Sequence, residues 1–431
     1  MARYRVVWRG LVRRTGSLKR EPHGTGAPPI AVLAALASML LGLGHCAAPG
    51  KEPSQSRAIK IATQSPLTGP QAWGGEAITV GAQLAVEKFK GPLESAGFVV
   101  EVAHFDDQAT PDVGVANARK LVADPDVLLV IGHLNSSVVL PASDLYRDAD
   151  LAMIFPTNTN IRITDRAYPN VNRVLGRDDV QGRVAAQFAR EDLRATTAFV
   201  VHDRTEYGQG GAEVFREVAG RIGLTLAGYE GFPGYERTQA PDFGAIIRRM
   251  AASQPDVVYF GGIYDQAAIL FKQARAQGVR AAFLGPDGLD SADLVKLAGQ
   301  AVVGLHYVTQ AGPIESYPEA REFAKEFQRR FGKQAGAYVV EAYDATLVGL
   351  RAIELALERT GGRRPTRKEV CEAIRRLPDI QGLTGSISFD ARGDRRLARY
   401  FVLRVESPNP AMWDHNRLVQ TIEAPSPLSR R

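Results

Sequence analysis

The sequence predicts an α/β protein made of two doubly wound parallel-sheet lobes, joined by a hinge that the chain crosses more than once. Three observations predict it. Short β-former runs alternate with helix-spaced segments almost from end to end, which is the signature of repeated βαβ units. The alternation fills two blocks of similar length, 59–175 and 177–308, each enough for one doubly wound domain. The pieces that follow, 318–331, 336–358, 386–390 and 399–405, are too few for a third domain and must complete the first two. The first lobe is therefore assigned 58–176 with 309–387, the second 177–308 with 388–420, and 421–431 is read as a tail.

In the first block, 59–63 reads as a strand and 76–90 as a helix, with Ile78, Ala82, Ala85 and Phe89 at helical spacing. Strand 98–105 and helix 112–123 follow. The run 127–131 is continuous Val, Leu and Ile, as in a strand covered on both faces. Gly132 permits a sharp exit, and Asn135, Ser136 or Ser137 can cap the helix that carries Val138, Val139 and Leu145. That turn aims amide N–H groups and serine hydroxyls at one point, which suits an anion. A capped turn with no ligand is the competing reading. Strand 151–155 closes the block. In the second block, helices 180–193, 210–222, 243–252 and 266–277 alternate with strands 198–202, 224–229, 257–260 and 283–284. The late segments 318–331 and 336–358 read as helices, and 386–390 and 399–405 as two strands around the turn 391–394.

The first 57 residues do not read as domain. A basic start (Arg3, Arg5, Arg9, Arg13, Arg14, Lys19, Arg20) precedes an apolar run over 30–43 and then Cys46. This is the order of an export signal, and the run is short for a membrane span, which needs roughly 20 residues. Cys46, after Leu43 and Gly44, is a candidate lipid-anchor position, with His45 an ill-fitting neighbour. Beyond residue 57 the Lys+Arg and Asp+Glu totals fall from 53 and 47 to 44 and 45, so the charge of +6 belongs to the leader. Nucleic-acid binding thereby loses its electrostatic basis. With Cys371 the only later cysteine, thiolate metal sites and an internal disulfide in the exported chain are excluded.

Several segments, in this order and spacing, carry a resemblance. They are Pro66 to Pro70 (Pro-Leu-Thr-Gly-Pro), Asp106-Asp107, Val130 to His133, Ser136-Ser137, Val201 to Asp203, Glu206 to Gly208, Val258 to Gly262, Phe283 to Gly288 and Phe389 to Asp394. Over 58–405 the chain resembles the periplasmic solute-binding proteins of branched-chain amino-acid ABC transporters, the type I, Venus-flytrap family. The resemblance implies a cleft binder of a small amino acid, working as a single copy with a membrane permease, with no cofactor and no metal. It implies that Ser136 and neighbouring N–H groups hold the ligand carboxylate, that Thr159 binds both carboxylate and ammonium, and that Asp287 takes the ammonium. Trp73 and Tyr207 would wall the side-chain pocket. Ser137 and Thr157 join the candidate set as further polar groups at the same strand ends.

The residues allow the same roles on their own. Trp73 lies in a glycine-rich segment with no apolar periodicity to bury it, so it needs a surface to cover. Tyr207 and Asp287 each follow a strand of the second block, where a helix start or a turn is the plainer alternative. The sequence also departs from the family. Gln108 and Asn135 stand where cysteines would, Thr157 and Asn158 replace small residues, Ile263 precedes Tyr264 where an aromatic is usual, and Asp287 replaces the commoner Glu. No G-x-S-x-G, H-E-x-x-H or P-loop string is present, so enzyme chemistry is not expected. Asp106-Asp107 reads as a solvated strand end and His133 as structural. The alternative function is a sensor for amides or organic acids that signals through a membrane partner.

Overall fold

The computed structural model describes residues 56–232 and 241–430. Cys46, and with it the leader and lipid-anchor expectations, lies outside the described residues. Residues Gln55–Arg431 form one compact unit that contains two large sheets.

The first sheet is parallel and takes Ala58–Ser65 (β1), Val99–Asp106 (β2), Val127–Gly132 (β3), Ala152–Phe155 (β4) and Val171–Arg173 (β5) in the order β2-β1-β3-β4-β5. The side chains of β3 divide between two cores, as in a strand covered on both faces, with the alternation interrupted at Leu128 where the register against β1 shifts. Leu129 and Ile131 pack with Ile78, Val86 and Ile353. Val127 and Val130 pack with Leu121, Val139 and Tyr146.

The second sheet takes Thr197–His202 (β6), Thr225–Gly231 (β7), Val257–Gly261 (β8), Ala282–Gly285 (β9) and His306–Thr309 (β10). After a small hairpin of Ile380–Gly382 (β11) and Gly385–Ile387 (β12), the chain adds Leu397–Arg404 (β13) and Arg417–Pro425 (β14). The order is β14-β13-β10-β9-β8-β6-β7, with β13 and β14 antiparallel. In both sheets the strand order reverses near one end, between β1 and β3 and between β6 and β8, and ligands collect at the carboxyl ends beside such points.

Three expectations need correction. The tail read at 421–431 begins inside β14. This edge strand pairs only with β13, and its exposed, mixed face gives no alternation to read. The two late strands do not form one hairpin: β12 pairs with β11, while β13 joins the second sheet, leaving only a Phe389–Arg395 bridge around the turn. The helix read from residue 76 starts at Ala72, so Trp73 stands on its first turn. Gly75 allows that start, because a Cβ there would lie 1.8 Å from the Pro66 carbonyl oxygen.

Between the sheets the chain passes at 174–177, again after β10, and a third time at 388–396. The first and third passages are bound by charge. Arg173 is fully buried, and its Nε donates to Asp394 Oδ1 at 2.9 Å. Arg177 donates to Asp394 Oδ2 at 2.8 Å and to Asp165 at 3.0 Å. Burial alone would raise the Asp394 carboxyl, but Arg173 and Arg177 outweigh it and hold it below its ordinary value. Tyr400 adds a second tie, its hydroxyl accepting from the Arg177 amide at 2.7 Å. Away from the hinge, Cys371 is free and buried, donates to the Asp150 carbonyl at 3.0 Å, and its thiol is pushed up to about 12 by burial first.

Removing the shared acid leaves the fully buried Arg173 guanidinium without a carboxylate, while Arg177 keeps Asp165 and Asp179. Asp394→Ala is expected to destabilise the protein by about 3–5 kcal/mol in urea unfolding. A loss under about 1 kcal/mol, typical of surface changes, would show that the network does not hold the hinge. Because the folded pKa of Asp394 is depressed, its contribution is present above the unfolded value of 3.8 and is lost as pH falls through the folded one.

Candidate functional site

The carboxyl ends of both sheets open into one cleft of about 650 Å³. From the first lobe it is lined by Gln71, Trp73, Ser136, Ser137, Thr157 and Thr159, and from the second by Asp203, Glu206, Tyr207, Ile263, Asp287 and Gly288. Tyr338 lines it from the segment that follows the second passage. All seven candidate ligand residues therefore meet in one cavity, and Ser136 and Asp287 share it.

On the first lobe, β3 ends at Gly132, whose φ of +146° and closeness to Gln64 (a Cβ would lie 2.1 Å from the carbonyl oxygen) admit only glycine. The helix Ser136–Asp148 then begins with Asn135 at the N-cap position, but its side chain does not cap and instead donates to Gln71 Oε1 at 2.7 Å. The first intrahelical bonds start at Val138 and Val139, so the amides of Ser136 and Ser137 are free toward the helix axis. The Ser136 and Ser137 hydroxyls make no side-chain hydrogen bond among the described residues. Thr157 donates to the His133 carbonyl at 2.6 Å, which fixes the turn and uses its proton internally. Thr159 Oγ1 is buried with no partner of ordinary hydrogen-bond geometry, Asp178 being its near neighbour. The loop around it is held from behind by Arg173, which donates to the Asn158 and Asn160 carbonyls at 3.1 and 3.2 Å.

On the second lobe, Asp287 is 4% exposed. Its Oδ1 accepts from Gln181 at 2.7 Å and from Tyr207 at 2.8 Å, and its Oδ2 accepts from Tyr338 at 3.0 Å. Burial raises its pKa, and these three bonds only partly offset the shift. A carboxylate accepts about four hydrogen bonds, so one position remains. Tyr207 thus does more than wall a pocket: its hydroxyl grips Asp287 and also accepts from the Gly288 amide at 2.6 Å. Its helix start is fixed by Thr205, which accepts from Gly208 N at 2.9 Å.

Asp178, absent from the expected set, stands behind Asp287. It is 2% exposed, and neither oxygen has a hydrogen-bond partner of ordinary geometry. Burial first, and then the neighbouring Asp287, push it up to about 7, while the nearby Thr159 hydroxyl draws it down. Two buried acids side by side disfavour full ionisation, so a cation placed against them relieves a standing repulsion.

Trp73 stacks on Tyr338 with centroids 5.8 Å apart and meets Tyr264 edge-on at 6.2 Å. Tyr264, the displaced aromatic after Ile263, also donates to the Pro70 carbonyl at 2.8 Å. At another rim Arg162 pairs with Glu206, and Asn160 donates to the Glu206 carbonyl. The lobes are therefore in contact around the cleft. His133 and Asp107 lie beneath it as a buried pair at 3.0 Å. Asp107 is not the solvated strand end expected, because it is fully buried, with one oxygen accepting from His133 and the other from Ala109 N. Among the described residues no group of three His, Cys, Asp or Glu is placed to hold a metal ion.

Sequence reasoning missed Gln181, Asp178 and Tyr338. Tyr338 has the clearest local signal, since it follows Gly336-Ala337 just before a long helix, in the same kind of position that singled out Tyr207. Its φ of +72° is unusual for a residue with a side chain. Asp178 and Gln181 had only their place at the start of the helix Asp178–Glu191 to mark them.

Residues 58–409 match the family described as Periplasmic binding protein. A leucine-, isoleucine-, valine-, threonine- and alanine-binding protein of Pseudomonas aeruginosa is 33% identical over 78% of this chain and 87% of its own length. A Leu/Ile/Val-binding protein homolog of Brucella abortus is 33% identical over 84% of this chain and 94% of its own. Among solved structures, a leucine binding protein from Thermotoga maritima superposes with a TM-score of 0.76 at 27% identity, covering 85% of this chain and 99% of that one. A Rhodopseudomonas palustris solute-binding protein in complex with 3,4-dihydroxybenzoic acid shares the fold at a TM-score of 0.70 and 21% identity, covering 87% of this chain and 100% of that one. With two parallel-sheet lobes, a cleft at their facing carboxyl ends and a match that runs through both, the chain belongs to the periplasmic binding protein family.

Proposed function

We propose that the protein is the extracytoplasmic substrate-binding component of an ABC importer, that it encloses a small, branched-chain-like α-amino acid between its lobes, and that it delivers it to a membrane permease without chemical change. The observation that carries this reading is the polarity of the cleft. Free amides and hydroxyls at a helix N-terminus face it from one lobe, and a partly satisfied buried acid faces it from the other. A zwitterion supplies both complements. Its carboxylate suits Ser136, the Ser136 and Ser137 amides and Thr159, and its ammonium suits the open position on Asp287 with Asp178 behind. Trp73 and Ile263 offer apolar cover for a side chain. The named ligands of the full-length relatives, leucine, isoleucine and valine among them, support the same class. Because the ligand touches both lobes, it favours the state in which they meet.

Asp287→Ala is expected to weaken leucine binding by about two to four orders of magnitude in calorimetry, the cost of breaking a desolvated charge pair, with the fold retained. Unchanged affinity would remove Asp287 from the ammonium site. In a thermal-shift screen of α-amino acids, amides and small organic acids, stabilisation should follow the amino acids. A shift confined to amides or diacids would overturn the substrate class.

Tyr338→Phe deletes one of the three bonds to Asp287 and is expected to weaken leucine binding by about threefold to tenfold. An effect confined to stability, with affinity untouched, would make the contact merely structural.

The pH dependence has a defined sign. In the free protein Asp178 keeps its proton up to about pH 7. An ammonium nearby favours the carboxylate, so binding expels the proton. Affinity should therefore be highest above pH 7 and fall below it, by at most about tenfold per unit, and calorimetry in buffers of different ionisation enthalpy should register proton release. Flat affinity from pH 5 to 8 with no proton exchanged would exclude Asp178 from the binding equilibrium.

A further inference from the structure

Trp73 also borders a second cavity, of about 500 Å³, and among the described residues is the only one that it shares with the cleft. Both lobes build it. Ala77 and Val80 come from the first helix, Phe327 from a later one, and Tyr307, Leu403 and Trp413 from the second sheet and the loop between β13 and β14. The size falls in the range of small-molecule sites.

Its charge is one-sided. Five carboxylates line it, and two of them have cationic partners: Glu76 with Lys333 at 3.5 Å and Asp293 with Lys296 at 3.1 Å. Asp290, Glu315 and Asp414 have none among the described residues. Asp290 is the deepest at 8% exposed, and it accepts from Trp413 Nε1 at 3.1 Å. Trp413 in turn stacks flat on Tyr307, with centroids 5.6 Å apart. Asp414 is an exposed residue whose carboxyl is partly shielded; that shielding first, and next Glu315 beside it, raise it above its ordinary range, and His415 opposes them. The acids do not form a group able to hold a metal ion, and their surroundings are aromatic and aliphatic.

We propose that this cavity is a second ligand site, for a small organic cation with an apolar body, its ammonium or guanidinium head set among Asp290, Glu315 and Asp414 and its body against Trp413, Tyr307 and Phe327. Burial pushes Asp290 up to about 7, so above that pH its charge selects a cation, and the aromatic faces favour one over a neutral molecule of the same shape. Such a ligand is chemically distinct from the zwitterion of the first cleft, because the one cation in this lining, Lys333, is already paired with Glu76, while three acids have no such partner among the described residues.

Titration calorimetry at pH 8 with 2-phenylethylamine, still a cation there, tests the site, with 2-phenylethanol as the uncharged control. The amine is expected to bind at submillimolar to millimolar concentration and the alcohol more weakly. Asp290→Asn, nearly isosteric and still able to accept from Trp413, should weaken the amine about tenfold. The pair Glu315→Gln and Asp414→Asn, both at exposed positions that the fold does not need, should weaken it about threefold. Asp287→Asn, in the first cleft, should leave amine binding unchanged. No binding at millimolar amine would overturn the proposal. So would amine binding that is lost with Asp287→Asn but indifferent to the Asp290, Glu315 and Asp414 changes, since that would place the amine in the first cleft.

Discussion

Two buried guanidinium groups sharing one buried carboxylate set the geometry of this molecule. Arg173 ends the first sheet, Arg177 ends the passage to the second, and Asp394 arrives from a turn 221 residues after Arg173. A charge removed from water must find its partner or be neutralised. Any arrangement that separates these three is therefore strongly disfavoured, and the first and third passages stay side by side. The same Arg173 reaches forward to the carbonyls on either side of Thr159. The joint between the lobes and the floor of the cleft are thus fixed by one side chain.

The cleft itself is held in an incompletely satisfied state. Asp287 is gripped by three donors, yet Asp178 and Thr159 beside it have buried polar atoms without ordinary partners. Unmet polar groups in a buried setting cost free energy, and a small charged molecule is a natural way to recover it. Rigid backing and unmet polarity together give selectivity, because the groups cannot turn away to satisfy one another.

Much of this was legible in the sequence because the fold is built from local signals. The apolar run of β3, the glycine at its end and the serines beyond it are contiguous, so strand, exit and helix start follow from their order. Tyr207 and Asp287 could be singled out because each follows a strand, where doubly wound folds place their ligands, and Trp73 because no apolar periodicity around it accounts for a large aromatic. What escaped depended on distant partners. Asp107 looked solvated until His133, 26 residues later, was brought against it. The strand β14 has a mixed, exposed face and exists because β13 offers it an edge. Tyr338 reaches Asp287 from 51 residues away, and no local pattern announces that pairing. The early start of the helix at Ala72 was hidden by two glycines that ordinarily weaken a helix, Gly75 being needed here for contact with Pro66 and Gly74 lying close against the Leu134 side chain.

The chemistry of Cys371 has a practical corollary. A thiol that is shielded from solvent, engaged by the Asp150 carbonyl and unwilling to ionise is a poor nucleophile toward maleimides at neutral pH. In a chain beginning at residue 58 it is also the sole sulfhydryl. Cysteines introduced at exposed points on opposite lobes would then take dyes selectively on the native background, turning the protein into a reagentless optical reporter of its own ligand.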